Sequence, residues 1–278
     1  MITYPRMVIG TEFLSRKKYS INYLKEYFKI ALSHKFNEID TAQSYGYNNL
    51  VEKTLGEVLG KNRKKYKIAS KFLNILKNNK LVSINSLDDI KLSVETTLNN
   101  LKTDYIDIFY FHSGSNNQFF NDKLWNYLND LKTQNIIKSL GLSFKNDLIL
   151  NNSLDQISSL KEYGISKVQI VFNMLSDSAK FKVLPSLKKM DVEIYGRMPY
   201  AKGYLINNYI FEKSSMELKN EFTEKHMYEN MLYIKKNYKT LNKSEVIKYA
   251  LLHVNKVVLA SSSVEQLKEN IQVLEMHA

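Results

Sequence analysis

Short apolar runs rich in β-branched residues alternate with amphipathic segments along the whole chain. Such runs predict buried strands, and an apolar stripe at helical spacing predicts a helix packed on them. The predicted strands are 7–13, 36–42, 66–72, 105–113, 138–144, 167–173, 193–199 and 256–262. The predicted helices that follow them are 20–34, 48–60, 86–102, 121–135, 153–163, 180–190, 244–253 and 263–276. Eight strands that are each followed by a helix close a barrel, so we predict an α/β fold, a single (β/α)8 TIM barrel over residues 1–278.

Two further features of the pattern bear on this fold. Ser86 precedes a leucine and two aspartates, which places a capping hydroxyl and two carboxylates at the start of a predicted helix. An open, doubly wound sheet that binds a dinucleotide would carry a Gly-x-Gly-x-x-Gly turn after one strand, and the sequence has no such turn. The pattern therefore favours the barrel over the open sheet.

One segment interrupts the alternation between strand seven and helix seven. Residues 200–243 have a lysine-rich middle with a helical pattern. In a barrel, an insertion after a strand lies at the C-terminal rim, where active sites form. We therefore predict a helical insertion that acts as a rim or lid segment, with a purely structural role as the alternative.

The composition narrows the class of protein. The chain has no cysteine, which excludes disulfides and thiolate metal sites. No apolar run reaches the roughly 18 residues of a membrane-spanning helix, and the N-terminus lacks the pattern of a signal peptide. We therefore expect a cytoplasmic protein with no membrane partner.

The net charge of +12 raises the question of a nucleic-acid partner. Of the 40 basic residues, only Arg6, Arg16, Arg63 and Arg197 are arginines, and the lysines are scattered over the polar faces of predicted helices. The densest cluster, residues 61–67, lies between a helix and a strand. Because base recognition prefers arginines and interleaved aromatic rings, we expect no nucleic-acid partner. A positive field that attracts an anionic substrate or coenzyme is the alternative.

Four polar residues fall at or just beyond the C-terminal ends of three successive predicted strands. Asp40 ends strand two, Tyr45 lies in the following loop, Lys71 ends strand three and His112 ends strand four. Neighbouring strands of a barrel bring these ends together, so the four side chains are expected to share one pocket.

This set suits the reduction of a carbonyl group. Arrival of a hydride leaves an alkoxide that needs a proton, which the Tyr45 hydroxyl can donate. A lysine ammonium about 4 Å away would favour the phenolate by roughly 4 kcal/mol at an effective dielectric near 20. Asp40 would hold Lys71, and His112 would bind the substrate oxygen or polarise Tyr45.

Each residue also has a purely structural interpretation when it is taken alone. Asp40 could cap a helix, Lys71 could reach to the surface, Tyr45 could be a rim aromatic and His112 a satisfied core histidine. Because three polar residues that are costly inside apolar runs occur at the same strand end, the combination favours catalysis.

The sequence also resembles a known family. IDTAQSYG at residues 39–46, followed by LG at 55–56, is similar to the Asp-Thr-Ala-x-x-Tyr-Gly signature of the aldo-keto reductases. Six further segments support the resemblance in the expected order: SKF (70–72), FHS (111–113), IIKSLGLSF (136–144), VQIVFNML (168–175), RMPYAKGYL (197–205) and SVEQLKENI (263–271). The chain looks most like a bacterial branch that is often found near polysaccharide-biosynthesis genes.

The resemblance implies a role for each of these residues. Tyr45 would be the general acid, with Asp40, Lys71 and His112 as its partners. The coenzyme would be NADP(H), bound across the barrel mouth by the residues that match the family's contacts. Those residues are Thr11, Asp40, Ser143, Gln169, Arg197, Ser261, Ser262, Gln266, Glu269 and Asn270.

The coenzyme end of the site departs from the family in one respect. The loop LASSS at 259–263 has neither the lysine nor the arginine that commonly binds a 2′-phosphate, and Gln266 stands where many members have arginine. A phosphate without a cationic partner binds poorly. NAD(H) is therefore the alternative coenzyme, unless a lysine from another loop approaches the phosphate.

The substrate side is expected to be polar. Glu12 stands where many members have tryptophan, and Ser44 and Ser113 flank the catalytic residues. These residues favour a small carbonyl or alcohol substrate that is sugar-like or otherwise hydroxylated over a steroid or an aromatic aldehyde. Because the last predicted helix runs almost to Ala278, specificity is expected to come from 200–243 and other rim loops.

Two other functions compete with a reductase or dehydrogenase. A coenzyme-binding sensor or subunit without turnover would use the same barrel. A metal-dependent hydrolase would need several His or carboxylate ligands at strand ends, where the sequence offers only His112 and Asp40, so we expect no metal. The sequence specifies no oligomeric state.

Overall fold

A closed barrel of eight parallel strands forms the centre of the protein. The computed structural model describes residues 6–78, 80–84, 86–144, 153–221 and 224–276, so parts of the predicted ranges 1–278 and 200–243 lie outside the described residues. The barrel strands are β1 (Met7–Gly10), β2 (Glu38–Asp40), β3 (Lys67–Phe72), β6 (Ile106–His112), β7 (Ile137–Ser143), β8 (Ile165–Val171), β9 (Glu193–Arg197) and β10 (Lys256–Ala260). Their order around the barrel is β1-β10-β9-β8-β7-β6-β3-β2. The predicted barrel is confirmed, with every predicted strand in place.

Two further strands form a hairpin that the sequence pattern did not predict. They are β4 (Asn74–Lys77) and β5 (Lys80–Ser83), paired antiparallel after β3. All four residues of β5 are exposed, so the hairpin lacks the alternation of buried and exposed residues that marks a strand in sequence. It packs beside the turn at Tyr47–Asn49, next to the predicted site.

Twelve α-helices lie within the described residues. They are α1 (Ile21–Ser33), α2 (Leu50–Leu59), α3 (Leu87–Leu101), α4 (Asn116–Phe119), α5 (Asp122–Thr133), α6 (Ser153–Ser158), α7 (Val183–Lys188), α8 (Tyr209–Glu212), α9 (Ser215–Glu221), α10 (Lys225–Asn237), α11 (Lys243–Leu251) and α12 (Val264–Glu275). Each predicted helix corresponds to one of these, although α6 and α7 are shorter than expected. Within the described residues, no helix combines the length and the apolar character needed to cross a membrane.

Side-chain caps fix the starts of several helices. The Ser86 hydroxyl accepts a hydrogen bond from the Asp89 N–H at 3.1 Å, as the sequence predicts for the start of α3. Asn242 and Glu245 form a reciprocal capping box at the start of α11. Ser263 caps α12 by accepting a hydrogen bond from the Gln266 N–H at 3.2 Å. These caps define where the loops at the barrel mouth end.

The alternation of side chains along each strand decides which residues point into the barrel. A small cluster of buried residues fills the interior: Val8, Ala69, Ile108, Tyr110, Tyr195 and Val258. Residues two apart on a strand share a face, so Lys71 points inward with Ala69, and His112 points inward with Tyr110. The larger apolar core lies between the outer face of the strands and the surrounding helices.

The segment between β9 and α11 has a small core of its own. Helices α8, α9 and α10 contribute Ile210, Leu218 and Met231, which are completely buried. This core also includes Met174 and Leu175 from the loop after β8. The segment therefore rests on the C-terminal side of the barrel, and its role as a lid stays a prediction.

Candidate active site

Three of the four predicted catalytic residues lie at the C-terminal ends of neighbouring barrel strands. Asp40 is the last residue of β2, Lys71 is the penultimate residue of β3 and His112 is the last residue of β6. The β2–β3 register pairs Asp40 with Ala69, and the β3–β6 register pairs Lys71 with Tyr110. The barrel thus places these side chains side by side.

The Lys71 ammonium is the centre of the site. Its Nζ donates hydrogen bonds to Asp40 Oδ2 at 2.7 Å, to the Thr41 carbonyl at 2.8 Å and to Tyr45 OH at 3.2 Å. Lys71 is completely buried, and the Asp40 side chain is 3% exposed. All three ammonium protons therefore have partners, and one of these partners is the phenol.

The loop after β2 positions Tyr45. The Tyr45 N–H donates to the Ala42 carbonyl at 3.0 Å, and the Tyr45 carbonyl accepts from Val51 N–H at 3.3 Å. Gly46 has a φ of +77°, a backbone conformation that favours glycine, and lets the chain turn directly after the tyrosine. The phenol OH therefore faces Lys71 from a tight turn.

The protonation of Tyr45 differs from the sequence-based expectation. Burial raises the pKa of Tyr45 and the charge of Asp40 acts in the same direction, whereas Lys71 and Arg197 lower it. Burial outweighs the two cations, so the net direction is upward, not downward as the lysine alone suggested. The tyrosine is held as a neutral phenol, which is the form that can donate a proton.

His112 is held neutral beside this pair. Burial, together with the charges of Lys71 and Arg197, lowers the pKa of His112 well below its usual value of 6.5. Within the described residues, its Nδ1 has no hydrogen-bond partner. Its backbone carbonyl accepts a hydrogen bond from the Asn74 amide of β4. A neutral imidazole carries one N–H, which can donate a hydrogen bond to a substrate oxygen.

The residues predicted to hold the nicotinamide lie on the next three strands. Ser143 ends β7, Gln169 lies in β8 and Arg197 ends β9. Gln169 Nε2 donates to Asp40 Oδ1 at 2.5 Å, and Ser143 Oγ donates to Gln169 Oε1 at 3.3 Å. Arg197 Nη2 donates to the Phe144 carbonyl at 2.6 Å. Hydrogen bonds thus connect Ser143 and Gln169 to the catalytic group through Asp40.

The residues predicted to hold the adenosine end lie in the loop after β10 and in α12. Asn270 donates to Ser261 Oγ at 2.9 Å and accepts from Tyr200 OH at 2.8 Å. The Gln266 side-chain carbonyl accepts from the Ser262 N–H at 2.9 Å and from its hydroxyl at 3.0 Å. These contacts order the loop.

Glu269 has a cationic partner that the sequence could not identify. The carboxylate is ion-paired with Lys243, the first residue of α11. A lysine from α11 therefore lies close to the predicted adenosine end of the coenzyme site. The loop at 259–263, which follows β10 at that end, has no lysine or arginine of its own.

The remaining predicted contacts are spread around the rim. The Thr11 hydroxyl donates to the Asp40 carbonyl at 2.8 Å, so this residue connects the end of β1 to the end of β2. Glu12 is exposed and pairs with Arg16 at 2.9 Å. Ser44 is half-buried beside Tyr45, and Ser113, with a φ of +60°, donates from its hydroxyl to the Ser143 carbonyl at 3.3 Å. Their contact with substrate stays a prediction.

Sequence reasoning missed three contributors to the site. The Thr41 carbonyl holds Lys71. Gln43 and Glu52 are buried behind the site, at 1% and 0% exposure. Two signals were present in the sequence. Gln43 is a polar residue between Asp40 and Tyr45, and Glu52 is an acid on the apolar face of α2.

The comparison with known families agrees with this geometry. The sequence profile described as the Aldo/keto reductase family matches residues 6–278. The chain belongs to the aldo/keto reductase family. The resemblance seen in the sequence motifs is thus confirmed over nearly the whole chain.

One curated relative of this aldo/keto reductase is an uncharacterized oxidoreductase, YqkF, of Bacillus subtilis (strain 168). The two are 26% identical over 190 residues, a match that covers 66% of this chain. The match covers 59% of YqkF, so the chain spans less than two thirds of that relative.

Solved structures share the fold of this aldo/keto reductase. The holo form of aldo-keto reductase AKR11C1 from Bacillus halodurans has a TM-score of 0.75 at 23% identity, over 97% of this chain and 86% of that one. Glycerol dehydrogenase AKR11B4 from Gluconobacter oxydans has a TM-score of 0.77 at 18% identity, over 96% and 86%. An aldo/keto reductase from Klebsiella pneumoniae in complex with NADP and acetate has a TM-score of 0.65 at 15% identity, over 98% and 86%.

Proposed function

We propose that this aldo/keto reductase is an NAD(P)(H)-dependent oxidoreductase that reduces an aldehyde or ketone to an alcohol, or catalyses the reverse, with Tyr45 as general acid or base. The observation that carries the proposal is the buried Lys71 ammonium, which binds Asp40, Thr41 and Tyr45 within 3.2 Å. A buried lysine in contact with a buried aspartate and a half-buried tyrosine is costly for stability alone and is suited to proton transfer.

The residues at the mouth fit a nicotinamide ring. A carboxamide offers both a donor and an acceptor, and the Ser143 hydroxyl and Gln169 amide together provide both. Within the described residues, Arg197 Nε is buried without a partner, which leaves a donor on its planar guanidinium beside His112. Ser143, Gln169 and Arg197 would therefore hold the ring, and the reduced nicotinamide would supply a hydride to the carbonyl carbon.

NADP(H) is the proposed coenzyme, and discrimination against NAD(H) is expected to be weak. Lys243 supplies a cation near the adenosine end, but Glu269 neutralises much of its charge. A phosphate competing with that carboxylate gains less than it would from a free lysine. The structure of a relative in complex with NADP supports the choice.

The chain's own residues then handle the proton. In the direction of reduction, Tyr45 gives its phenolic proton to the carbonyl oxygen as the hydride arrives at the carbon. Lys71 stabilises the phenolate that is left, and Asp40 fixes the ammonium. The neutral His112 donates a hydrogen bond from its ring N–H to the same oxygen, and Tyr45 regains its proton from solvent.

The proposed substrate class is a small hydroxylated carbonyl compound or alcohol, such as a sugar or a polyol. Ser44 and Ser113 lie beside the catalytic residues, and both are half-buried. Hydroxyl groups at this depth bind polar substituents better than apolar rings. The match to the fold of a glycerol dehydrogenase is consistent with such a substrate.

The test is a coenzyme titration followed by turnover. NADPH and NADH are titrated separately into the protein while the fluorescence of the reduced nicotinamide is followed, and a panel of hydroxylated and aromatic carbonyl compounds is then added. We expect saturable binding of both coenzymes and faster oxidation with the hydroxylated compounds. Binding without any turnover would support a silent coenzyme-binding subunit instead, and absence of binding would overturn the proposal.

A further inference from the structure

A buried carboxylate lies behind the catalytic residues, outside the proposed reaction. Glu52 of α2 is completely buried. Its Oε1 accepts hydrogen bonds from Ser70 Oγ at 2.6 Å and from Thr97 Oγ1 at 3.0 Å, and its Oε2 accepts from Asn100 Nδ2 at 3.0 Å. No lysine or arginine of the described residues forms an ion pair with it. The carboxylate is therefore held by neutral donors alone.

The directions of these hydrogen bonds favour the ionised carboxylate. Thr97 Oγ1 accepts a hydrogen bond from Gln43 Nε2 at 2.9 Å, which leaves its own proton free to point to Glu52. The Asn100 amide can only donate through its nitrogen. Burial raises the pKa of Glu52 and makes the net direction upward, although the hydrogen bonds from Ser70, Asn100 and Thr97 and the charge of Lys71 each lower it. Three hydrogen bonds to a buried carboxylate stabilise its ionised form, and they offset part of the free energy that its desolvation costs.

The same cluster contacts both segments that carry the catalytic pair. Ser70 directly precedes Lys71 on β3. Gln43 lies two residues before Tyr45, and its amide donates to the Ser93 carbonyl at 2.6 Å while its carbonyl accepts from Ser93 Oγ at 2.7 Å. Gln43, Glu52, Ser70, Ser93, Thr97 and Asn100 form what is called here the Glu52 cluster. Through its hydrogen bonds, this cluster connects the loop that carries Tyr45 and the strand that carries Lys71 to the same helix, α3.

Close packing of α2 on α3 is what allows this arrangement. A Cβ atom at Gly56 would lie 2.1 Å from the Asn100 carbonyl oxygen, so only glycine permits the two helices to approach so closely. Gly56 lies one turn after Glu52 on the same face of α2. The approach brings Thr97 and Asn100 within reach of the carboxylate.

We propose that Glu52 is a positioning residue for the Lys71–Tyr45 pair: through its cluster it fixes the two segments, and its carboxylate places a second negative charge behind Lys71. The expected effect of Glu52 on turnover rests on the proposed function. Its expected effect on the titration of Tyr45 does not depend on turnover. A negative charge behind Lys71 opposes formation of the Tyr45 phenolate, so the Glu52 carboxylate favours the neutral phenol.

The test replaces Glu52 by glutamine and follows Tyr45 directly. Protein labelled with 13C at the tyrosine ζ carbon is titrated with base, without coenzyme, and the Tyr45 signal is assigned by its loss in Tyr45→Phe. In Glu52→Gln, the pH at which this signal moves should fall by about half to one unit, because one buried charge has been removed. An unmoved titration would overturn the proposal whether or not the protein catalyses any reaction.

Turnover gives the second readout. Turnover per molecule of bound coenzyme is expected to fall about tenfold in Glu52→Gln, while the dissociation constant for NADPH stays within about twofold of the parent protein. Wild-type turnover in the variant would contradict a positioning role. If the parent protein binds coenzyme but catalyses no reaction, the proposed function fails, and the Tyr45 titration still decides the electrostatic part.

Two further variants separate positioning from general loss of stability. Asp107→Asn makes the same acid-to-amide change at the start of β6, where Asp107 accepts from Arg63 at 2.9 Å and from the Ile68 N–H at 2.8 Å. It should lower the melting temperature and leave the Tyr45 titration and turnover per bound coenzyme unchanged.

Should Glu52→Gln fail to fold, a second variant, Thr97→Val, removes the hydrogen-bonded link between Gln43 and Glu52. It should reduce turnover per bound coenzyme about threefold to tenfold, and unchanged turnover there overturns the proposal.

Discussion

The two ends of the barrel interior both contain buried charges, but they are arranged differently. At the N-terminal end, Lys256 contacts Glu38 at 2.6 Å and Glu193 at 2.9 Å, and Lys167 contacts Glu193 at 2.7 Å. Two acids and two bases alternate there, so each charge is matched. At the C-terminal end, the ion pair Asp40–Lys71 lies beside two groups that are kept neutral, Tyr45 and His112, and the cation Arg197 has no matching acid there among the described residues.

This difference indicates that the charges at the N-terminal end stabilise the fold, whereas the groups at the C-terminal end are suited to chemistry. Burial by itself raises the pKa of Glu193, but the hydrogen bonds and charges of Lys167 and Lys256 outweigh it and bring the value to about 2. Burial of Tyr45 and His112 is not outweighed, so the pKa of Tyr45 is raised and that of His112 is lowered. Groups held neutral and protonatable can exchange protons with a substrate, and matched charges cannot without losing stability.

The largest expected effect comes from removing the lysine at the C-terminal end. Lys71→Met leaves the Asp40 carboxylate buried without its cation, which costs about 3–5 kcal/mol in the free energy of unfolding. Turnover should fall by about 10²–10⁴ because the phenolate loses its stabilising charge. Denaturant unfolding and steady-state kinetics measure the two effects. A variant that keeps turnover within tenfold would show that this end is structural as well.

The N-terminal end should respond in stability alone. Glu193→Gln should lower the free energy of unfolding by up to about 3 kcal/mol at neutral pH, with turnover per bound coenzyme unchanged. Because the folded-state pKa of Glu193 is depressed to about 2, its contribution is present above the usual value of 4.5 and is lost as pH falls from 4.5 toward 2. The difference in stability between parent and variant should therefore shrink over that range. A difference that is independent of pH would contradict this account.

A smaller effect concerns the neutral imidazole at the C-terminal end. Because the pKa of His112 is lowered well below 6.5, the unfolded state binds a proton there as pH falls below 6.5 while the folded state does not. Stability should then decline by at most about 1.4 kcal/mol per pH unit from this group, and less steeply in His112→Gln. Nitrogen chemical shifts should report a neutral His112 ring at pH 6.5, and a charged ring at that pH would contradict the assignment.

The smallest expected effect is at the coenzyme's adenosine end. Replacing Lys243 by glutamine should weaken NADPH binding about threefold to tenfold and leave NADH binding within about twofold, because only the 2′-phosphate needs the cation. Lys248→Gln, on the same helix α11 and outside the pair with Glu269, serves as the matched control. Equal losses for both coenzymes would remove Lys243 from the proposed phosphate contact.

The sequence predicted the barrel because its strands are local, apolar and regularly spaced. It also predicted that Asp40, Lys71 and His112 converge, since strand ends in a barrel must meet. The β4–β5 hairpin was missed because its exposed side chains carry no strand pattern. The pairs Glu52–Thr97 and Glu269–Lys243 were missed for a different reason. Their partners are 45 and 26 residues apart, and only the packing of the helices brings them together.

The direction in which the pKa of Tyr45 shifts also could not be predicted from the sequence. The sequence motif indicates that a lysine lies near the tyrosine, but the burial that outweighs its charge depends on how the folded protein packs around the phenol. Contact between catalytic residues could be predicted from strand ends alone. The balance between charge and desolvation required the folded structure.

The proposed function depends on proton transfer by Tyr45 during carbonyl reduction. Its most direct test is a single-turnover experiment in which protein saturated with NADPH is mixed with a hydroxylated aldehyde, and loss of nicotinamide fluorescence is followed in the parent, in Tyr45→Phe and in Tyr47→Phe. Tyr47 is 61% exposed two residues away and is the matched control. We predict a rate about 10²–10⁴ lower in Tyr45→Phe and unchanged in Tyr47→Phe, with NADPH binding retained in both. Equal rates in the parent and Tyr45→Phe would contradict the claim.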